Sequence, residues 1–472
     1  MTSQTMKKTF SVKGIVGIVL SVIILAACSF VPGSEELSRE GVMGLAIMAT
    51  AVVLWFCETF PAGITGLLVL VLAAVFGVVP INEAFGGFAG TTIFFVIGVF
   101  ALTVLMMKTN LGQRLTRRLI IWAGASSKKL IFAFMLGTAL ISLIITNTGA
   151  AIIVVGLALP FLKTLGAMPG KSNFGKCVML GIAFAAVLGG FVLPVGHSMN
   201  VLGAGILADY NGSLIGFVEW AAIGLPLCAV MMPLCWFFMI KILKPEDVTQ
   251  ESIDKVLGST AHMGKLSSTE IKSLIMIIGI PVLWVAGNWI PALNTTTVAI
   301  VGLAIMFLPG VKLLEWEDLQ KGVPWNIILM VGAILSLGGI LGATGGAAYV
   351  ANLFLASGIL ALDPLIVLLL VATVLYLLHT VLPVAPAFIA LFLPPLFAYA
   401  DAVGMSPAIP MLLVVLMVSG NFILPLNPST TVVYAEKYFS FGDIAKSGVV
   451  PSLILVLLGT VWIYGMGGLL GI

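Results

Sequence analysis

Apolar runs of about 17–25 residues recur along the whole chain, the length that a bilayer core of about 30 Å demands of a crossing helix. Spans are expected near 13–31, 41–57, 61–79, 91–107, 176–207, 218–241, 271–289, 296–313, 325–342, 408–435 and 443–470. Of the 472 residues, 60% are apolar and 9% charged, and the mean hydropathy of +1.20 lies outside the range of a soluble globular chain. The fold class is therefore an all-α polytopic membrane protein, with the lipid bilayer as its first partner. The 52 glycines suit close helix packing in lipid. A net charge of +3 is no sign of a nucleic-acid partner, because the charges are segregated by membrane side. Cys28, Cys57, Cys177, Cys228 and Cys235 show no metal or disulfide spacing, so no cofactor is expected.

The first run follows Lys7, Lys8 and Lys13 and contains Leu25-Ala26-Ala27-Cys28, a tetrapeptide similar to a lipoprotein cleavage box. Its length favours a first transmembrane helix over a signal segment, whose apolar core is usually nearer 7–15 residues. With the N-terminus cytoplasmic, 21 of the 22 Lys and Arg fall inside, Arg39 being the exception. That asymmetry sets the orientation in the cell (inner) membrane, with the C-terminus extracytoplasmic.

Two apolar stretches do not fit as single spans. Residues 130–162 would make one helix of about 50 Å, carry Thr146-Asn147-Thr148 in the middle, and have Lys128, Lys129 and Lys163 at their ends. This pattern predicts a re-entrant hairpin of two half-helices entering from the inside. Residues 364–400 are broken around His379 to Pro386 and flanked by Asp363 and Asp401, which predicts a hairpin entering from outside.

An internal repeat links the two. An offset of 234 positions places Thr92 to Gly98 on Asn326 to Gly332, Thr146 on Thr380 and Pro160 on Pro394. An offset of 231 aligns GGFVLPVGHSMNVL (189–202) with GNFILPLNPSTTVV (420–433), and one of 224 aligns FVEWAAIG with FGDIAKSG more loosely. The copies start on opposite sides, so two inverted repeats are expected. Residues 1–40 form an N-terminal helix and outer loop, and 41–242 the first repeat with its inner hairpin at 129–163. Residues 243–270 form a cytoplasmic linker, and 271–472 the second repeat with its outer hairpin at 364–400.

Inverted repeats with helices broken near the midplane are built into secondary transporters. A half-helix N-terminus presents free N–H groups and a positive dipole end to an anion, while carbonyls at the break can hold a sodium ion. The breaks place Thr146, Asn147, Thr148, Ser198, Asn200, Thr380, Asn427, Ser429, Thr430 and Thr431 as substrate-binding candidates. Thr146, Asn147, Gly196, His197, Asn200, Pro383 and Ala385 are the ion-binding candidates. Ser429, Thr430 and Thr431 would also serve as helix-packing hydroxyls, and His197 as a structural cap. His379 fits a structural role, His262 a solvated linker, and Glu58 and Glu219 the ends of spans. No nucleophile–base set stands in the apolar runs, so no enzyme is expected.

The TNT hairpin, the following L-P-V-G-x-x-x-N break and the ending ILPLNPSTTVVYAEKYFSFGDIAKSG (423–448) together resemble the divalent-anion:sodium symporter family. The resemblance spans nearly the whole chain. It implies eleven transmembrane helices, two hairpins, a homodimer and elevator-type sodium-coupled uptake of di- or tricarboxylates or of sulfate. The family's first Ser-Asn-Thr motif maps onto Thr146, Asn147 and Thr148, its proline-rich loop onto Gly196 to Asn200, and the second-half loop onto Asn427 to Thr431. The second Ser-Asn-Thr motif is absent: Thr380 is followed by Val381, Leu382, Pro383, Val384, Ala385 and Pro386. The Arg and His that mark exchangers of the family are replaced by Ala150 and Phe388. The expected function is sodium-coupled symport of a small anion, di- or tricarboxylate first. The alternative is a proton-coupled or exchanging carrier on the same fold, for a smaller or inorganic anion such as sulfate.

Overall fold

The computed structural model describes residues 12–212, 215–251, 264–382 and 384–471. Lys7, Lys8, His262 and Pro383, all used in the sequence reading, lie outside the described residues. The first half contains α1 (Val12–Ser29), α2 (Arg39–Phe56), α3 (Ala62–Val75), α4 (Ile81–Ala84), α5 (Thr91–Lys108), α6 (Leu111–Ala123), α7 (Ser127–Ser142), α8 (Asn147–Thr164), α9 (Asn173–Phe191), α10 (Ser198–Asn211) and α11 (Phe217–Leu243). The second contains α12 (Ser268–Ala286), α13 (Thr295–Phe307), α14 (Trp316–Gly322), α15 (Trp325–Ala343), α16 (Gly346–Ala356), α17 (Pro364–Val381), α18 (Ala385–Ala402), α19 (Ala408–Ser419), α20 (Pro428–Ala435) and α21 (Phe441–Leu470).

Among the described residues, eleven helices are long and apolar enough to cross a membrane. They are not the eleven spans expected. The spans at 61–79 and 296–313 are short helices of 14 and 13 residues. The arms of the expected hairpins are long: α7 has 16 residues, and α8, α17 and α18 have 18 each. At 1.5 Å per residue, 18 residues reach about 27 Å, more than half-helices would. The arms are long because the break between them is short, residues 143–146 in the first pair. Ser126 Oγ accepts from Lys129 N–H at 3.4 Å to start α7, and Asp363 Oδ1 accepts from Leu365 N–H at 2.9 Å to start α17. The amphipathic α6, with Arg114, Arg117 and Arg118, and the short α16 were not anticipated.

The core is centred on α9, buried along 94% of its apolar window, whereas α1 is buried along only 22% and packs at the edge against α2. The helices pack in two groups, and α9 belongs to the first. In one, α7 packs on α6, α8 and α9, α11 on α9 and α21, and α17 on α19 and α21. In the other, α3 packs on α15, and α5 on α13 and α12. Helix α10 touches both groups, through α19 and α18 on one side and α15 and α5 on the other.

Polar chemistry at the end predicted to be cytoplasmic ties the halves together. Arg114 on α6 donates to both oxygens of Glu270 at 2.8 and 3.1 Å. Lys108 meets Asp318 at 2.6 Å, and Lys176 meets Asp443 at 3.2 Å. Glu246 accepts from Asn173 N–H and Phe174 N–H and so closes the start of α9. Glu270 and Asp443 also complete capping boxes with Ser267 and Ser440, so the same carboxylates start α12 and α21.

Where the chain leaves α19 it runs hard against α21. A Cβ on Gly448 would overlap the backbone carbonyl of Phe422, which cannot move without shifting the whole break. We expect Gly448→Ala to destabilise the protein by about 3 kcal/mol or more, at the upper end of overpacking. Gly468→Ala, with open space around it, should change little. Thermal unfolding in detergent would check the pair; equal melting temperatures would contradict the packing.

Candidate functional site

The polar breaks are ordered by their own side chains. Thr146 caps α8: its Oγ1 accepts from Gly149 N–H at 3.4 Å, and its own N–H donates to Thr103 Oγ1 at 3.3 Å. Asn147 Oδ1 accepts from Thr148 N–H at 2.9 Å. At the other break, Asn427 Oδ1 accepts from Ser429 Oγ at 2.6 Å and from Thr430 N–H and Oγ1 at 3.0 Å each, capping α20. Asx capping follows directly from an Asn placed ahead of a helical run.

The two caps meet. Asn147 Nδ2 donates to Ser429 Oγ at 3.4 Å, across 282 positions of sequence, and α8 packs on α20. Two helix starts therefore face one place, each with the positive end of its dipole. Asn147, Asn427, Ser429 and Thr430 are buried there, while Thr148 and Ser198 are half-buried and Thr431 exposed. The meeting point combines uncharged donors with two positive dipole ends, chemistry suited to carboxylate or sulfate oxygens.

Beside it lies a second polar pocket. Asn200, fully buried, donates from Nδ2 to the carbonyls of Gly190 and Leu193 at 2.8 and 2.9 Å. These two bonds fix the amide orientation and leave Asn200 Oδ1 buried with no partner. The Gly196 backbone closes on Gly190: a Cβ on Gly196 would lie 2.5 Å from the Gly190 carbonyl oxygen and 2.8 Å from that of Ser142. The Gly190 and Leu193 carbonyls are thus engaged by the Asn200 amide, and Asn200 Oδ1 is the acceptor left over.

Not every candidate falls in these two places. His197 Nδ1 accepts from Met199 N–H at 3.0 Å and caps α10, leaving only Nε2, buried and without a partner. With its lone pair used in the cap, this imidazole does not serve as a cation ligand. Thr380 is separated from the Asn147–Ser429 contact; its Oγ1 donates to the Tyr376 carbonyl at 2.8 Å and accepts from Asn421 Nδ2 at 2.7 Å. Ala385 opens α18, half-buried. Thr103, Ser142, Gly190 and Asn421 were missed. For Thr103 there was no signal, whereas Gly190 and Asn421 occupy matched places in the 231-position alignment. A separate cavity of about 540 Å³, lined by Thr91, Thr92, Asp209 and Ser336 among others, contains none of the candidates.

The sequence profile of the sodium:sulfate symporter transmembrane region matches residues 12–471. The chain belongs to that family. It is a multi-pass membrane transporter and not an enzyme. Among relatives, a protein named sodium-dependent dicarboxylate transporter SdcS from Staphylococcus saprophyticus is 24% identical, with 97% of this chain and 92% of that one aligned. The SdcS of Staphylococcus aureus strain NCTC 8325 is 23% identical over the same shares. A membrane protein of Cupriavidus necator is 24% identical over 94% of this chain and 92% of its own. The YdaH transporter of Alcanivorax borkumensis has a similar structure, with TM-score 0.58, 14% identity and 98% of both chains covered. MtrF of Neisseria gonorrhoeae follows with TM-score 0.54, 14% identity and 97% and 95% covered. These last two likenesses concern the fold alone.

Asn294 offers a control for the site. It caps α13 with the same chemistry, accepting from Thr297 N–H at 2.9 Å, away from the meeting helix starts. Asn427→Ala and Asn294→Ala should each cost about 1 kcal/mol of stability. Only Asn427→Ala should also abolish anion uptake into proteoliposomes; equal uptake by the two variants would remove Asn427 from the site.

Proposed function

We propose that this transporter is a sodium-coupled symporter of small anions, di- or tricarboxylates first, working in the cell (inner) membrane with its N-terminus cytoplasmic. The carrying observation is the contact between Asn147 at the start of α8 and Ser429 at the start of α20. Thr146, Asn147, Thr148, Ser429, Thr430 and Thr431 hold the anion between two positive dipole ends. Asn200 Oδ1 and the Ser142, Gly190 and Gly196 carbonyls hold sodium next to it. The names of the relatives support sodium and dicarboxylate, and the family description supports sodium and sulfate. Neutral donors suit a substrate that must be released as well as bound.

In this reading α7–α8 and α17–α18 are re-entrant hairpins in two inverted repeats, which the matched order of helices supports: Trp325 opens α15 234 positions after Thr91 opens α5. The hairpins, α9–α10 and α19–α20 move as a unit in an elevator step. Helices α2, α3, α12 and α13 form a dimerising scaffold, consistent with the two packed groups. Burial of Asn147 and Ser429 supports alternating access, because substrate reaches them only after a rearrangement.

Uptake of labelled succinate, citrate and sulfate into proteoliposomes, with inward sodium against a potassium control, tests the reading. Uptake of at least one should require sodium, and Asn147→Ala should abolish it without loss of expressed protein. Uptake that ignores sodium and follows a pH gradient or an internal anion would overturn sodium coupling.

A further inference from the structure

A third helix start stands beside the two that meet. Helix α10 begins at Ser198, and the chain just ahead of it passes against Gly190. A Cβ on Gly190 would lie 2.9 Å from the Gly196 carbonyl oxygen and 3.1 Å from Asn147 Cβ, so the turn into α10 is packed next to the start of α8. The residue that caps this turn is His197, directly after Gly196 and 5% exposed.

The cap fixes the tautomer of its ring. Nδ1 accepts from Met199 N–H at 3.0 Å, so Nδ1 presents a lone pair and the neutral imidazole carries its proton on Nε2. A ring protonated on both nitrogens would set one N–H against another and lose the cap. Nε2–H is therefore a donor, on the side of the ring away from the cap, and it is buried without a partner. The other unpartnered buried side-chain atoms among the described residues differ in kind. They are hydroxyls, which rotate to find acceptors, the Asn200 amide oxygen, which accepts, and Nδ1 of His379, where no bond sets the protonation. A buried N–H without an acceptor is costly, and an oxygen is what it lacks. No carboxylate of the protein supplies one: among the described residues, His379 is the only titratable side chain close enough to act on His197 electrostatically.

We propose that His197 Nε2–H is a further donor to the transported anion, which is then held by three helix starts rather than two. An uncharged imidazole suits this task. It gives a carboxylate or sulfate oxygen one directed hydrogen bond, without the full positive charge that would hold a dianion too firmly to release. The same residue thereby does two things, ordering the break through Nδ1 and reaching the cargo through Nε2. The inference rests on the anion-symport reading above, to which it adds a residue.

Equilibrium binding of labelled succinate, citrate and sulfate to the purified full-length transporter, each with sodium, tests it. His197→Asn places an amide oxygen where Nδ1 stands, so it keeps the cap and removes Nε2–H. It should weaken binding of the anion that the wild type takes by about tenfold or more, at an unchanged melting temperature. His197→Ser also caps and also lacks the donor, and it gives the same reading if His197→Asn does not accumulate. His379→Leu should bind within about twofold of wild type. Wild-type affinity in either capping variant would overturn the proposal. So would an equal loss in His379→Leu, because Nε2–H would then serve the second imidazole. A folded wild type that binds none of the three anions would overturn the symport reading, and this inference with it.

Discussion

A helix broken inside hydrocarbon must have each freed N–H and C=O partnered by protein, since the bilayer core supplies no water to do it. The breaks after α7, α9 and α19 are built around that demand. Asn147, His197 and Asn427 each accept a backbone N–H at the start of the following helix, and Thr431 and Asn200 take up carbonyls left behind. Capping consumes the side-chain acceptors and most of the N–H groups but leaves the dipole ends. The binding capacity of the site is thus what remains after the breaks have satisfied themselves. An anion site of the kind proposed would then need no Lys or Arg among its capping residues.

The same bookkeeping distinguishes the halves. Around Asn200 the hydrogen bonds leave an acceptor over, whereas around Asn421 they close. Glycine permits the first arrangement: Gly190 and Gly196 let two stretches of backbone approach to a distance that any Cβ would prevent. At the position matched to Gly190, Asn421 instead bonds Thr380 and the N–H groups of Ile423 and Leu424, beside the Tyr376–Ser452 pair. Packing is tight on this side as well, since the Phe422 carbonyl abuts Gly448 on α21.

Much of this was legible in the sequence, for reasons that can be traced to particular residues. Hydropathy locates the long helices, because lipid demands length, and polar residues inside apolar runs locate the breaks. Asn147, Asn200, Asn427, Ser429 and Thr430 all stand at those breaks and are all buried. The helix ends were less legible. Short breaks leave the hairpin arms longer than half-helices, and α6 is set by an amphipathic pattern that a hydropathy scan passes over. Thr380 looked like a ligand from its place in the repeat. Its commitment to Tyr376 and Asn421 is a tertiary contact that spacing alone does not reveal. Thr103 caps the hairpin from another helix and left no mark in the local sequence.

The most direct measurement is a cryo-electron-microscopy map of the transporter with sodium and succinate bound. Succinate density between the starts of α8 and α20, against Asn147 and Ser429, is the expected result. Density in the cavity near Thr91, Asp209 and Ser336 instead, with the Asn147–Ser429 contact unchanged, would contradict an anion site made from paired helix starts.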